Sequence, residues 1–173
     1  MNKYKLVKEG DLFRIIALRD FGNIQKGDRG GLIEKESNLS HNDNCWVYDN
    51  ARVYDDALVY GNARVCGNAR ICGNAEVYGD AEVCGDAEVY GDAEVCGDAN
   101  IQETLDYLVI GPIGSRKAFT TFFRIRNNTI NISCGCWQGT IEKFEKRVKE
   151  THGKNKYGKQ YLETIKLIKK III

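Results

Sequence analysis

The sequence is poor in the features that mark membrane, secreted and linker-rich proteins. It has one proline in 173 residues, and no apolar run approaches the roughly 18 residues of a membrane-spanning helix. No apolar segment follows a basic start, so we expect no secretory signal and a cytoplasmic location, in a host cell if a phage encodes the chain. Seven cysteines, an odd number, are then expected to be reduced thiols and not a disulfide framework.

The formal net charge of +1 hides a strong segregation of charge along the chain. Residues 71–115 contain ten acidic side chains and no lysine or arginine, whereas residues 116–173 contain fourteen basic and four acidic side chains. Segregation on this scale favours electrostatic contact, either within the chain or with a partner of opposite charge.

A six-residue repeat fills the middle of the chain, as in the hexads 62–67 and 92–97. Valine or isoleucine recurs at every sixth position and alanine precedes it by two residues, so small and branched side chains share the inward face. Glycine followed by asparagine or aspartate then turns the chain. The pattern predicts very short strands separated by tight corners, because the recurring glycine is incompatible with a long helix.

The repeat resembles the hexapeptide repeat of left-handed parallel β-helices. That resemblance implies a triangular prism in which residues three hexads apart stack at about 4.8 Å, and it suggests a homo-oligomer, a dimer or a trimer. We predict a mainly β protein with a short left-handed parallel β-helix at 47–103, roughly three coils long. Residues 1–46 are predicted to form a β-hairpin cap and a first irregular coil, since open β-stacks need covered ends.

The chain past position 104 is predicted to form a C-terminal α+β domain at 104–173. Alternating apolar residues predict three antiparallel strands, and Thr140 is expected to cap a helix that ends at Gly153. A second helix is predicted at about 156–170 from the spacing of its apolar residues.

Several stretches resemble proteins of bacteriophages and prophages. In the first part of the chain these are Asn38-Leu39-Ser40-His41 and Cys45-Trp46-Val47-Tyr48, which resemble small phage hexapeptide-repeat proteins. In the last part, the segment 110–116 together with Cys134-Gly135-Cys136-Trp137 and Glu150-Thr151-His152-Gly153 is similar to a domain of phage-type proteins. The resemblance implies a phage origin.

Residues suited to catalysis or metal binding are scarce. Hexapeptide β-helices include acyltransferases, so the resemblance makes His41 a candidate catalytic residue, although a polar residue capping the first coil is the simpler interpretation. Cys134 and Cys136 lack the second ligand pair of a structural zinc site. We therefore predict no catalytic site, no metal and no cofactor.

A glycine-rich turn follows the first strand of the C-terminal domain. Its amides and the polar side chains near it could hold an anion such as phosphate. The candidate anion-binding residues are Gly114, Ser115, Arg116, Thr120 and Thr121. The turn lacks the ending of a nucleotide P-loop, so a tight turn without a ligand remains the alternative.

Outward aromatic and charged residues predict surfaces for a partner, because an exposed tyrosine and leucine stripe on a flat sheet usually marks an interface. On the repeat these residues are Leu58, Tyr60, Glu76, Tyr78 and Glu94. On the basic domain they are Lys143, Arg147, Tyr157 and Tyr161, which could also meet a nucleotide or nucleic acid.

We predict a non-catalytic, phage-derived interaction protein that inhibits a bacterial defence system. It would bind either a host protein, such as a defence nuclease of the CRISPR type, or a defence signalling nucleotide. The alternatives left open are a hexapeptide-repeat acyltransferase and a structural phage component. The target rests on family association and not on particular residues.

Overall fold

A computed structural model describes residues 2–172 of the protein. The chain divides after Thr104 into two compact units, each of which is described by itself. Among the described residues, no helix has both the length and the apolar character needed to cross a membrane.

The first unit begins with three strands of ordinary length, which precede the repeat. They are β1 (Tyr4–Glu9), β2 (Leu12–Ala17) and β3 (Arg29–Ile33). The first two form an antiparallel hairpin that turns at Gly10, and β3 pairs antiparallel with β2. This segment is the predicted cap.

The repeat forms ten strands of two residues each. They are β4 (Trp46–Val47), β5 (Arg52–Val53), β6 (Leu58–Val59), β7 (Arg64–Val65), β8 (Arg70–Ile71), β9 (Glu76–Val77), β10 (Glu82–Val83), β11 (Glu88–Val89), β12 (Glu94–Val95) and β13 (Asn100–Ile101). Strands three hexads apart pair in parallel, which gives three stacks ordered β4-β7-β10-β13, β5-β8-β11 and β6-β9-β12. The prediction of a parallel β-solenoid is confirmed.

The solenoid is longer than the repeat alone indicates. Strand β3 pairs in parallel with β5, and Leu39 forms a parallel bridge with Val59. The irregular sequence before position 46 therefore supplies a further turn, and the stack has about four turns instead of three. The sequence pattern misses this turn because its residues do not follow the hexad.

Alanine and valine fill the interior of the solenoid, as the alternation predicts. Every alanine from Ala51 to Ala99 in the inward column is fully buried, as are Val65, Ile71 and Val83. Each buried valine contributes roughly 1.5–3 kcal/mol relative to an exposed one. The outward side chains are thereby held on a rigid frame.

Two of the seven cysteines depart from the expectation of reduced thiols. Cys66 and Cys84 stand above one another on adjacent turns, with Cα atoms 4.5 Å apart, and are joined by a disulfide bond. That Cα separation lies within the range that a disulfide can bridge. Stacking at the inter-strand spacing brings the two sulfur atoms together. The expectation of reduced thiols, which came from the predicted cytoplasmic location, did not take this proximity into account.

The second unit is a four-stranded antiparallel sheet with two helices. The strands are β14 (Tyr107–Ile113), β15 (Ala118–Arg124), β16 (Ile130–Cys134) and β17 (Trp137–Thr140), paired in that order. The prediction of three strands is therefore wrong by one. The glycines at 135 and 139 weaken the alternating pattern from which β17 could be predicted. Gly135, at φ 59°, also forms the turn that returns the chain against β16.

The helices are α1 (Ile141–His152) and α2 (Lys156–Ile171). The Thr140 side chain accepts a hydrogen bond from the backbone N–H of Lys143, and the N–H of Gly153 donates to Lys149 at the other end of α1, as the sequence indicates. Both helices pack their apolar faces on the sheet. The shared core contains Phe122, Ile132, Phe144, Val148, Ile165 and Ile168.

Candidate functional site

An open cleft of about 190 Å³ lies in the second unit and combines cationic, aromatic and thiol side chains. We call it the C-terminal cleft. Its lining consists of Ser115, Arg116, Cys134, Cys136, Trp137, Phe144, Arg147, Val148, Thr151, His152 and Tyr161. No aspartate or glutamate is among these lining residues, although the described part of the domain contains five acidic side chains at 106, 142, 145, 150 and 163.

Two tight turns place the cleft residues that come from the sheet. Gly114, at φ 72°, turns the chain between β14 and β15, so that Ser115 and Arg116 follow at the rim. Gly135 turns the chain between β16 and β17, and a Cβ atom there would lie 3.7 Å from Nη1 of Arg116. The side chain of Arg116 thus extends from one turn to the other.

Helix α1 supplies a second cation to the lining of the cleft. Arg147, Thr151 and His152 lie at spacings of four and one residues near its C-terminal end, where the negative end of the helix dipole favours positive charge. Arg116 and Arg147 are both exposed. Within residues 2–172 neither guanidinium forms an ion pair, so both remain available to an anion.

Aromatic rings form the floor of the cleft. The ring of Phe144 lies 5.1 Å from that of Trp137 and 5.4 Å from that of Tyr161, and His152 stacks on Tyr161 at 5.9 Å. Phe144 and Tyr161 belong to the domain core, whereas Trp137 is half-buried. Because its ring is fixed by Phe144 and still partly exposed, Trp137 offers a flat surface on which a planar group can stack.

The thiol of Cys134 is held inside this floor. Thr120 Oγ1 donates to Cys134 Sγ at 3.4 Å, and the Tyr161 hydroxyl lies 3.9 Å from the same sulfur. Burial, with the neighbouring thiol as the next cause, raises the pKa of Tyr161 to about 12. The phenol therefore stays protonated at neutral pH and acts as a neutral hydrogen-bonding group.

The structure brings together only part of the predicted anion site. Ser115 and Arg116 line the cleft, and the backbone N–H of Gly114 donates to the Gln160 side chain at 3.3 Å. Thr120 and Thr121 are buried within the sheet, with 0% and 1% of their surface exposed, and do not line the cleft. Strand pairing places these hydroxyl groups inside the fold, so an anion in the cleft would not contact them directly.

The sequence interpretation does not connect Trp137 and His152 with the anion-binding turn. Both residues lie in the short segments that resemble phage-type proteins. The sequence spacing gives no sign that Trp137, at the start of β17, lies near His152, at the end of α1. Lys143 and Tyr157, predicted as interaction residues, lie outside the cleft lining, whereas Arg147 and Tyr161 belong to it. Packing of α1 on the sheet is the step that assembles the site.

His41, the candidate catalytic residue, is held in the cap of the first unit. Its Nδ1 accepts the backbone N–H of Lys3 at 3.2 Å, and its Nε2 lies 2.8 Å from Glu36 Oε1. Both ring nitrogens therefore have partners within the protein, and neither is free to take a proton from a substrate. The arrangement supports the structural interpretation of this residue.

The outward residues of β6, β9 and β12 form the surface predicted on the repeat. Tyr60 and Tyr78 stack with ring centroids 4.8 Å apart and planes 3° from parallel, and Leu58 is 37% exposed. Glu76 stands directly above Glu94 in the strand register and accepts a hydrogen bond from the Tyr60 hydroxyl at 2.7 Å. We call this surface the tyrosine face.

Comparison with known proteins agrees with the solenoid geometry. Residues 47–61 match the YdcK beta solenoid repeat. The matched segment covers β5 and β6 with the corners that flank them, so the match and the structure assign the same repeat architecture. No curated protein matches the chain. The protein is thus a β-solenoid repeat protein with an appended α+β domain.

Proposed function

We propose that the protein binds a small anionic ligand of the nucleotide class in the C-terminal cleft and does not chemically transform it. One observation carries this proposal. Arg116 and Arg147, whose guanidinium groups form no ion pair in the described residues, line the same cleft as the partly exposed ring of Trp137, and no carboxylate lines that cleft. Arginine binds phosphate through paired N–H donors, and an aromatic ring stacks on a nucleobase.

The size of the cleft favours a ligand of modest size over a long polymer. Its volume of about 190 Å³ is below the ~300 Å³ at which pockets that enclose drug-sized molecules begin. A mononucleotide or one unit of a cyclic oligonucleotide would place its phosphate between the arginines and its base against Trp137. Ser115 and Thr151 line the same space and offer hydroxyl groups to the sugar or phosphate.

The same lining supports binding over turnover. Hydrolysis of phosphate esters commonly uses carboxylates to hold metal ions or to activate water, and the residues around this cleft are cationic, aromatic, hydroxylic or thiol. His152 stacks on Tyr161 and lies 6.0 Å from the ring of Tyr157, so its plane is set by two aromatic neighbours.

We further propose that the biological role is to inhibit a bacterial defence system by sequestering such a nucleotide, in a protein of phage origin. The resemblance of segments 38–48 and 110–116 to phage proteins supports this role. A nuclease activated by a cyclic nucleotide provides a direct assay. Added protein should lower its activity in proportion to the number of cleft sites, and excess nucleotide should restore it.

Calorimetric titration of the full-length protein tests the binding proposal. Adenosine and guanosine monophosphates, their cyclic forms, the free nucleosides and inorganic phosphate form the panel. Nucleotides should bind more tightly than either nucleoside or phosphate alone, and Arg116→Ala or Arg147→Ala should weaken binding by about tenfold or more. Lys143→Ala removes an equal charge from the exposed surface of α1 outside the cleft and is the matched control.

Two results would contradict nucleotide binding in this cleft. The first is a nucleotide panel that gives no saturable heat at millimolar concentration. The second is binding that Lys143→Ala weakens as much as Arg116→Ala and Arg147→Ala do, since general attraction to a basic domain would then suffice.

The tyrosine face supports a second candidate function, self-association. Its stacked rings and the hydrogen bond from Tyr60 to Glu76 fix the side chains in advance, which lowers the entropy cost of forming an interface. Leu58→Asp should shift sedimentation toward the monomer, whereas Leu167→Asp, which alters an exposed leucine of α2, should not. A wild-type chain that sediments as a monomer at all concentrations would contradict this candidate.

A further inference from the structure

Cys66, Glu82 and Cys84 form a compact group of potential metal ligands on the solenoid, in a different unit from the C-terminal cleft. Their two sulfur atoms and one carboxylate oxygen all lie within 4.8 Å of one another. The group arises from the repeat itself, because Glu82 lies in β10, Cys84 follows two residues later on the same turn, and Cys66 stands above Cys84 on the adjacent turn.

The carboxylate of Glu82 is directed toward sulfur and not toward its natural ionic partner. Strand register places Arg64 beside Glu82, yet in the described residues these two side chains form no ion pair. The guanidinium of Arg64 lies over the ring of Tyr48, at 5.4 Å, while Glu82 Oε1 lies 3.6 Å from Cys84 Sγ. By contrast, the equivalent pair Arg70 and Glu88 on the next stack forms a salt bridge of 2.9 Å.

We propose that, once the disulfide is reduced, Cys66, Cys84 and Glu82 bind one thiophilic divalent cation of the Zn²⁺ class. Two thiolates and one carboxylate form a ligand set that zinc accepts, and three protein ligands leave a fourth tetrahedral position for water. The fixed spacing between solenoid strands holds the ligands close together before the ion arrives, so little ordering entropy opposes binding.

Reduction of the disulfide and binding of the metal ion are two separate steps. A phosphine supplies two electrons to the disulfide and is oxidised to its oxide by taking the oxygen atom of a water molecule. The two protons of that water yield the Cys66 and Cys84 thiols. The cation then replaces the two thiol protons, which are released to solvent, and Glu82 binds as the carboxylate. The disulfide and the metal therefore compete for the same two sulfur atoms, and each joins the same adjacent turns.

Titration of the full-length protein with Cd²⁺ alone, as a spectroscopic probe for zinc, tests the site. The background carries Cys134→Ser and Cys136→Ser, which removes the Cys-x-Cys pair of the other unit. After reduction by a phosphine, one equivalent of Cd²⁺ should give the ultraviolet charge-transfer band of cadmium–thiolate bonds. The oxidised protein should give none, and Zn²⁺ should displace the probe.

Variants at each ligand distinguish a built site from general thiol affinity. Cys84→Ser should remove the stoichiometric band, and Glu82→Gln should weaken the apparent affinity by at least about tenfold while far-ultraviolet circular dichroism stays unchanged. Cys72→Ser, on a different stack, is the control and should leave the titration intact. The proposal is overturned if reduced protein gives no stoichiometric band, if the band survives Cys84→Ser, or if Glu82→Gln binds as tightly as the parent.

Discussion

The ring of His41 stacks on that of Tyr4, with centroids 4.2 Å apart and planes 22° from parallel. The Tyr4 hydroxyl in turn donates to the backbone oxygen of Leu39 at 2.6 Å. Strand β1 is thereby joined to the irregular first turn of the solenoid by stacked rings and hydrogen bonds. This contact gives the His41 imidazole a structural role in the cap.

Replacing His41 by alanine should therefore lower stability and leave ligand binding unchanged. We expect a loss of about 1–3 kcal/mol in the free energy of unfolding, since a stacking contact and hydrogen bonds to Lys3 and Glu36 disappear together. Urea denaturation measures this loss. Asn42→Ala, an exposed neighbour, should change it by no more than about 0.5 kcal/mol. Equal stability of the His41→Ala protein and the wild type would show that the contact contributes nothing.

Gly114 is expected to be essential to the architecture of the C-terminal cleft. A Cβ atom at this position would overlap the Tyr161 hydroxyl, and the backbone has the positive φ of 72° that glycine adopts most easily. Gly114→Ala should cost more than about 2 kcal/mol and weaken nucleotide binding.

Gly10→Ala is the matched control, because Gly10 has a similar φ of 64° and open space around it. It should cost only the backbone term of about 1 kcal/mol. Thermal unfolding and the nucleotide titration compare the two variants. Equal losses of stability would mean that the overlap with Tyr161 is relieved without cost.

Tyr60 should make stability sensitive to alkaline pH. Burial raises the pKa of its phenol, and the hydrogen bond to Glu76 and the negative charge of that carboxylate add to the effect. Above the ordinary tyrosine pKa of about 10, the unfolded chain loses this proton while the folded protein keeps it. The stabilising contribution is complete below that pH and is lost as the pH rises toward the folded pKa.

Tyr60→Phe should consequently flatten the fall of unfolding free energy between about pH 9 and pH 11. Chemical denaturation at several pH values gives the slope. Tyr90→Phe removes a hydroxyl from a tyrosine that is 54% exposed and serves as the comparison. A slope that the two substitutions change equally would remove Tyr60 as the cause.

The cysteines should differ widely in their rate of alkylation. Cys136 is exposed, whereas Cys96 is 2% exposed and burial raises its pKa to about 11. Since the thiolate is the reactive form, Cys136 should be modified first and Cys96 only slowly, with buried Cys45 also slow. Peptide mass mapping after short exposure to iodoacetamide measures the order. In denaturant the difference should disappear, and equal rates in the native protein would refute the burial of Cys96.

The solenoid could be predicted from sequence because the six-residue repeat determines directly which residues stack on adjacent turns. A residue such as Val65 must stand on Val83 once three hexads complete a turn, and it does so. The sequence also predicts that Arg64 stands beside Glu82, but not that their side chains avoid each other. The position of the Arg64 side chain depends on Tyr48, one turn above, because the guanidinium of Arg64 lies over the Tyr48 ring.

The cleft was predictable only in part, for a different reason. Ser115 and Arg116 follow a glycine turn, which is a local signal. Trp137 lies after another turn and His152 at the end of a helix, and only the packing of α1 on the sheet brings them to Arg116. The spacing of these residues along the chain does not indicate that they lie close together.

The corner side chains give the solenoid a polarity. Asn62, Asn68 and Asn74 each donate through the side-chain amide to an aspartate on the next turn, at 3.0 Å. The series changes from asparagine to aspartate toward the C-terminal turns, and carboxylates accept hydrogen bonds but donate none. The acidic corners of the last turns therefore offer hydrogen-bond acceptors, and no donors, to any further β-turn stacked on them.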